Sequence, residues 1–577
     1  MMVKKEADNP LRVISALVLL AGVIVIAKLF VLQIVERKYY SALASNRNEI
    51  YKQLYPRRGN IFFQDARSSD KEYPAAVNRQ YYLLYATPRD ILPEQVNSTT
   101  DFLANILNFS SEEKSALAAK LSKVNDPYEP IAKKVSEEIK NQIQLANLPG
   151  INTVGQEFRY YPEGNLAANA LGFIGSDAEG NMVGRYGVEG FWDKNLMGKS
   201  GFLAGERGAL GSIITLADRT LKQAEDGADL LLTIDRNLQY KACERLRQGL
   251  EEYQAQSAAL IILDPKTGAI LAMCSLPDFD LNNYSEVKDL ATYNNASIFI
   301  PYETGSVFKP IVMSMALDLG LVSPFTLFTD PGERIINGYK IHNALNKTYG
   351  TVTMTGVLEN SINTGMIWVA EKIGRARFKE YAEKFGFGKK TGIDLDTEAE
   401  GDVVSLDKKA EIYTANGSFG QGFTATPIQL AVAYGALANG GKMLKPYIVE
   451  EIRYKNGQVE KTKAKITDTA LSAASSKLIT SMLISVVENG HGKKARLDDY
   501  YVAAKTGTAQ VAKGGQYSES ETNHTFVGYF PAMDPKFVLL VKYEAPQKNW
   551  AESTAAPVFK DVAKFALDYY GIPGDKN

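Results

Sequence analysis

The longest apolar run lies at the start of the chain. Val13 to Ala27 carries no charge, Lys28 interrupts, and Leu29 to Val35 continues apolar apart from Gln33. Taken as one helix, 13–35 is about 23 residues and about 34 Å long, enough to cross a bilayer. Lys28 lies toward one end, where its stem can snorkel to the interface. Lys4, Lys5 and Arg12 precede the run, which predicts a cytoplasmic tail at 1–12, a single-pass anchor at 13–35 and the remainder outside the membrane. A cleaved signal peptide needs a shorter apolar core and a small-x-small site, and Glu36-Arg37-Lys38-Tyr39-Tyr40 offers no such site.

Beyond the anchor the pattern changes twice. Residues 36–228 mix short strand-like pieces with a charged helical region, Ser110 to Ala146, and read as an elongated pedestal with a helical insertion. Gly201 to Gly227 is glycine-rich and charged, a junction. From Asp229 a second domain, 229–577, opens with Leu230-Leu231-Leu232-Thr233-Ile234 and a helix through Leu250. Apolar runs Ala259 to Leu263 and Ala269 to Met273 flank a hairpin turn, Asp264-Pro265-Lys266-Thr267-Gly268. The middle is helical. Strands return at Val502 to Val511, Thr525 to Phe530 and Phe537 to Tyr543, before a final helix, Ala556 to Tyr570. Helices on an antiparallel sheet, its first strands before the helices and its last after them, make the class α+β.

Composition narrows the function. A net charge of -1 leaves no nucleic-acid footprint. Only His342, His491 and His524 occur, widely scattered, so no His-based metal site is expected. Cys243 sits on a helix-like run and Cys274 closes an apolar strand. They are compatible with one disulfide but read more readily as buried free thiols.

The chemistry lies in three short strings in one order: Ser306-Val307-Phe308-Lys309, Ser361-Ile362-Asn363 and Lys505-Thr506-Gly507. The first opens a helical apolar stretch, with Ser306 and Lys309 on one face so that the amine can reach the hydroxyl. Gly305 allows a tight turn, and Pro310 costs little because first-turn amides have no intrahelical partner. Unpaired amides at a helix start also suit an oxyanion. A lysine is a base only when neutral, which at a reference pKa of ~10.4 is about one in 2,500 at pH 7, so the site must lower that pKa. A second cation does so by repulsion, and Lys505 is the candidate. Ser361 offers a proton-relaying hydroxyl, and Asn363 an amide able to bind both a substrate carbonyl and Lys309. Lys505, Thr506, Gly507 and Thr508 suit a strand lining a cleft, where Gly507 lets a substrate backbone approach. The whole reads as a serine acyl-transfer site without a cofactor or metal.

Bare matches are common here. Ser-x-x-Lys recurs at Ser68, Ser111, Ser285 and Ser405, and Lys-Thr-Gly at Lys266 and Lys390. Only Ser306 joins a preceding glycine to a buried-looking helix. Gly417-Ser418-Phe419-Gly420-Gln421-Gly422 lacks the ending of a phosphate cradle and reads as a turn before the helix Thr426 to Leu437. His524, before a strand beside the Lys505 strand, reads as structural, with a place in the cleft as the alternative.

In this order the strings resemble those of class B penicillin-binding proteins, the membrane-anchored transpeptidases of bacterial cell-wall synthesis. The likeness extends to Arg57-Arg58-Gly59-Asn60-Ile61, Arg159-Tyr160-Tyr161-Pro162-Glu163-Gly164 through Leu171-Gly172-Phe173, Gly184 to Gly187 with Val188-Glu189, and Leu232-Thr233-Ile234-Asp235 with Gln239. Glu303-Thr304-Gly305-Ser306 departs from the family's usual Glu-Pro-Gly-Ser, and Phe62-Phe63-Gln64-Asp65 replaces an aspartate-rich turn. The resemblance implies the penicillin-recognising serine transpeptidase fold, an antiparallel sheet with helices on both sides and a helical subdomain, preceded by a dimerisation-type pedestal. It implies D,D-transpeptidation of peptidoglycan stem peptides ending in D-Ala-D-Ala, and covalent binding of β-lactams. Ser306, Lys309, Ser361 and Lys505 would be catalytic, and Asn363, Thr506, Gly507 and Thr508 substrate-binding. Implied partners are a polytopic membrane glycosyltransferase of the shape, elongation, division and sporulation group and other division-complex proteins. Ser361-Ile362-Asn363-Thr364-Gly365-Met366 and Phe385-Gly386-Phe387-Gly388 favour the division-type branch over the elongation type. A carboxypeptidase or β-lactamase-like hydrolase and a non-catalytic β-lactam sensor are the other readings.

Overall fold

The computed structural model describes residues 49–54, 56–68, 71–178, 181–206, 220–513 and 516–576. The tail at 1–12 and the apolar run at 13–35 lie outside them, and among the described residues no helix is long and apolar enough to cross a membrane. The chain divides into two compact units. In the first, Glu49–Leu54, Gly201–Glu206 and Thr220–Lys222 form a three-stranded antiparallel sheet with Gly201–Glu206 in the middle. The second, Arg58–Met197 with Gly227–Asn577, contains the elements described below.

Strands β1 (Ile61–Gln64), β2 (Tyr73–Ala86), β3 (Glu129–Val135), β4 (Ile151–Tyr160) and β5 (Asp229–Asp235) belong to a seven-stranded sheet. β5 pairs in parallel with β1 and antiparallel with Val449–Arg453, so early and late parts of the chain share this sheet. The charged helical region expected at Ser110 to Ala146 is two helices split by a strand. Helix α1 (Ser111–Leu121) starts at a Ser110–Glu113 capping box, and α2 (Glu137–Ala146) starts at Ser136. Pro127 and Pro130 cannot continue a helix, and the intervening chain pairs with β2 as β3.

Three of the four segments resembling the family outside the site converge on one buried carboxylate. Glu189, fully buried, takes Arg58 at 2.6 Å and Arg159 at 2.6 Å. Arg58 also donates to Asp193 at 2.7 Å, and Arg159 donates to the Gly59 carbonyl at 2.7 Å. Burial pushes the Glu189 pKa up, but the two guanidinium charges and their hydrogen bonds outweigh it and hold the carboxyl below its ordinary range.

The second sheet runs β7-β6-β10-β9-β8, antiparallel throughout, from β6 (Ser257–Leu263), β7 (Ile270–Leu276), β8 (Ala503–Lys513), β9 (Gln516–Phe530) and β10 (Phe537–Glu544). The hairpin turn expected around Pro265 joins β6 to β7. Alternation along the strands serves two cores. Leu260, Ile262, Phe526, Leu539 and Val541 pack with the apolar faces of α3 (Arg236–Glu252) and the terminal helix Ala555–Tyr570. Ile261, Leu263, Val527, Val538 and Leu540 join the opposite core with the helices of the middle of the chain. Burial on both faces explains why β6 and β10 read as nearly continuous apolar runs. The α+β expectation, an antiparallel sheet with helices on both sides, matches.

The cysteine expectation is overturned. Cys243 and Cys274 form a disulfide, their Cα atoms 5.6 Å apart, because α3 lies along β7 and turns Cys243 toward that strand. Periodicity placed each cysteine against an apolar surface without showing that it was the same one. The bridge closes a loop with a sequence separation of 31, so replacing both cysteines by serine should lower unfolding free energy by about 2–4 kcal/mol. Chemical denaturation of the two forms checks this.

Candidate active site

Ser306 lies in a single 3-10 turn, Gly305–Phe308, that runs straight into helix α4 (Lys309–Asp318). Val307, Phe308 and Lys309 are fully buried, whereas Ser306 is partly exposed, so the turn anchors its neighbours in the core and presents the hydroxyl to an open cleft. Gly305 has φ 59, and its amide donates to the Gly420 carbonyl at 2.9 Å. A side chain at Gly420 would place its Cβ 2.1 Å from the Gly305 carbonyl oxygen. The glycine-rich string at 417–422 thus backs the Ser306 turn.

Helices α5 (Met354–Glu359) and α6 (Asn363–Ile373) are joined by a sharp bend in which Ser361 adopts φ 55. A non-glycine residue in left-handed conformation costs roughly 1–2 kcal/mol and is held by surrounding structure. The bend turns the Ser361 hydroxyl toward two amines. Lys505 donates to Ser361 Oγ at 3.0 Å and Lys309 does so at 3.2 Å. Lys309 also donates to the Ser361 carbonyl at 2.5 Å and to Asn363 Oδ1 at 2.7 Å. The Asn363 amide is oriented from its other end, where Nδ2 donates to the His342 carbonyl at 2.9 Å.

Both lysines are wholly buried. Burial, followed by repulsion from Lys505, pushes Lys309 well below the ordinary lysine range. Burial alone lowers Lys505 to about 7. The expectation that the site depresses the amine pKa is met, with desolvation as the larger cause and the second cation as the smaller. The Lys309 amine makes no hydrogen bond to the Ser306 hydroxyl here. The amine is bound instead to the second string, with the Ser306 turn beginning the same helix.

Thr506 and Thr508, two apart on β8, line the cleft beside Ser306, Ser361 and Asn363. A Cβ at Gly507 would lie 2.9 Å from Val307 Cγ1 and 3.1 Å from the Thr304 carbonyl, so only glycine lets β8 pass this close to the Ser306 turn. The three strings, spread over two hundred residues, meet around one hydroxyl.

Relatives carry the same organisation. A family model for the penicillin-binding protein transpeptidase domain matches residues 258–564, and one for the penicillin-binding protein dimerisation domain matches 53–232. Stage V sporulation protein D of Bacillus subtilis is 31% identical over 97% of this chain and 86% of its own length. The chain belongs to the penicillin-binding protein transpeptidase family. Peptidoglycan D,D-transpeptidase FtsI of Escherichia coli K12 is 29% identical over 100% of this chain and 96% of that one. Penicillin-binding protein 2X from Streptococcus thermophilus shares the fold at TM-score 0.75 and 22% identity, covering 91% of this chain and 81% of that one. This class B penicillin-binding protein is therefore a serine D,D-transpeptidase.

Some site features of this transpeptidase are not visible as motifs. The buried Asp330 accepts from Thr364 Oγ1 at 2.5 Å and Asn343 Nδ2 at 2.8 Å, and Asn343 Oδ1 accepts from the Thr364 amide at 3.1 Å. That network fixes the start of α6 and the loop whose His342 carbonyl orients Asn363. A lone acid before Pro331-Gly332 reads as an ordinary turn residue. His491, Trp550 and Glu552 also line the cleft without any sequence signal. His524 lies inside β9 rather than before it. It is buried between Thr522 at 3.0 Å and Thr554 at 2.9 Å, and burial lowers it to about 4, which fits the structural reading.

Proposed function

We propose that Ser306 is the nucleophile of a septal peptidoglycan transpeptidase acting on stem peptides that end in D-Ala-D-Ala. One observation carries this reading: a serine hydroxyl, Ser361, held between two buried amines of lowered pKa beside an exposed serine at a helix start. Neutral Lys309 takes the Ser306 proton as Oγ attacks the penultimate D-alanine carbonyl. Main-chain amides of Ser306 and Thr508 receive the oxyanion, each such donor being worth roughly 3–4 kcal/mol. As the C–N bond breaks, Ser361 passes a proton from Lys505 to the departing D-alanine amine. Asn363 positions the substrate amide, and Lys505, Thr506 and Thr508 hold the terminal carboxylate, with Gly507 giving it room. The ester left on Ser306 is then opened by an amine from a neighbouring stem.

Around this site we assign residues 13–35 to a membrane anchor with a cytoplasmic tail at 1–12, 36–228 to the pedestal and 229–577 to the transpeptidase domain. We assign the anchor as the contact for a polytopic membrane glycosyltransferase; of the adjoining Arg57 to Ile61, Arg58 is turned inward to Glu189 and Ile61 is buried in the core. The relative named FtsI supports the septal role, and a fluorescent fusion of the full chain gathering at midcell would agree with it, whereas even labelling of the side wall would reject it.

The chemistry is tested by supplying the full chain with a D-Ala-D-Ala donor peptide and an amine acceptor. Release of D-alanine with cross-linked product supports transpeptidation, and release with free acid alone would make the protein a hydrolase. A pH prediction follows from the buried lysines. Lys505→Gln removes the cation that helps to lower Lys309, so the acidic limb of the β-lactam acylation profile should move to higher pH. An unmoved limb would show that Lys505 does not tune the base.

A further inference from the structure

The second half-reaction makes a demand that the residues above do not meet. The acceptor amine arrives at neutral pH as an ammonium, which has no lone pair and cannot attack the ester. It needs an anion to draw it in and a base to take its proton. The cleft holds one of each. Glu552 is the one carboxylate among the described residues lining it, and His491 lines the same cleft. His491 Nδ1 and Glu552 Oε2 are 3.8 Å apart, with side chains 48% and 35% exposed, so both are accessible from the opening.

Each is held by the site. The His491 amide donates to the Glu359 carbonyl at the end of α5 at 3.1 Å, just before the bend that carries Ser361. The Ala551 amide, next to Glu552, donates to Thr508 Oγ1 at 3.1 Å. The charged groups facing His491 are Lys505 from β8, Glu552 from the turn Ala551–Ser553, and Lys309 from α4. Burial and then Lys505 lower its pKa, Glu552 opposes this, and Lys309 adds to the lowering. The imidazole is therefore neutral and able to accept a proton at physiological pH.

We infer that His491 and Glu552 form the subsite for the acceptor amine, Glu552 holding the arriving ammonium and His491 taking its proton. This rests on the transpeptidase reading. The balance is complete: the ammonium gives one proton to His491, and its nitrogen attacks the Ser306 ester carbon. The new C–N bond forms, the C–Oγ bond breaks, and the second nitrogen-bound proton returns through Lys309 to Ser306 Oγ. The products are an amide, free Ser306 and a protonated His491 that releases its proton to water.

The test uses full-length protein, an acyl-D-alanyl thioester donor and two acceptors. Nα-acetyl-lysine amide presents an ammonium, whereas hydroxylamine is already neutral at pH 7. Acylation by labelled penicillin is measured in parallel. His491→Gln and Glu552→Gln should each lower transfer to the lysine amine by about 10- to 100-fold relative to acylation, while transfer to hydroxylamine stays within about threefold. His491→Gln should also change the acidic limb of the lysine-transfer pH profile while leaving that of acylation in place. A parallel fall for both acceptors, a matching fall in acylation, or unchanged transfer to lysine would each overturn the subsite. A wild-type protein that penicillin does not acylate would instead overturn the transpeptidase reading beneath it.

Discussion

Ser306→Ala should abolish covalent labelling by penicillin and lower stem-peptide cross-linking by at least about 10³-fold, with the fold unchanged. The loss is large because the remaining groups have nothing to act on. In the proposed mechanism Lys309 takes its proton from that hydroxyl, and Ser361 and Lys505 relay a proton only once a bond to carbon has formed. The variant should still bind stem peptides, since Asn363, Thr506 and Thr508 line the cleft independently of the Ser306 side chain. Thermal unfolding should match the wild type, because Ser306 is partly exposed and its turn is held by Val307 and Phe308. Cross-linking by HPLC of the products, with labelling on a gel, checks both halves. Equal labelling of wild type and variant would remove Ser306 from the mechanism.

Glu189→Gln should lower unfolding free energy by about 3–5 kcal/mol, although Glu189 belongs to no catalytic string. The carboxylate is fully buried between Arg58 and Arg159, so its loss leaves two guanidinium groups facing a neutral amide in the core. The pH dependence has a defined sign. Because the folded-state pKa of Glu189 is lowered, its contribution is fully present above the unfolded carboxylate value of about 4.3 and is lost as pH falls through the lower folded value. The stability gap between wild type and variant should therefore be widest near neutral pH and should narrow as pH falls below about 4. Urea denaturation across that range measures it. A gap that does not change with pH would mean that Glu189 is not an anion in the folded state.

The legible and illegible parts of this chain differ in how far apart their partners lie. Local pattern was enough for the hairpin at Pro265, for β8 and β10 and for the terminal helix, because each strand or helix buries a face dictated by its own period. The three strings that meet in the cleft were legible because each keeps its polar side chains within four residues. The disulfide was not, since it depends on which face α3 turns to β7. Nor was the Arg58–Arg159–Glu189 cluster, whose members were seen separately and whose two arginines reach Glu189 across 131 and 30 positions. The contact of Lys309 with Asn363 was foreseen. The missing hydrogen bond to Ser306 was not, because the amine is taken up by the Ser361 carbonyl and Asn363, partners more than fifty positions away. His491 and Glu552 were silent because single residues after a helix and in a short turn have no spacing to read.

Ser306 should be acylated by substrate and by penicillin alike. Mass spectrometry of digested protein after incubation with penicillin should show one adduct, on the peptide containing Ser306, absent when Ser306→Ala is treated alike. An adduct confined to another peptide, or one that persists in the variant, would contradict it.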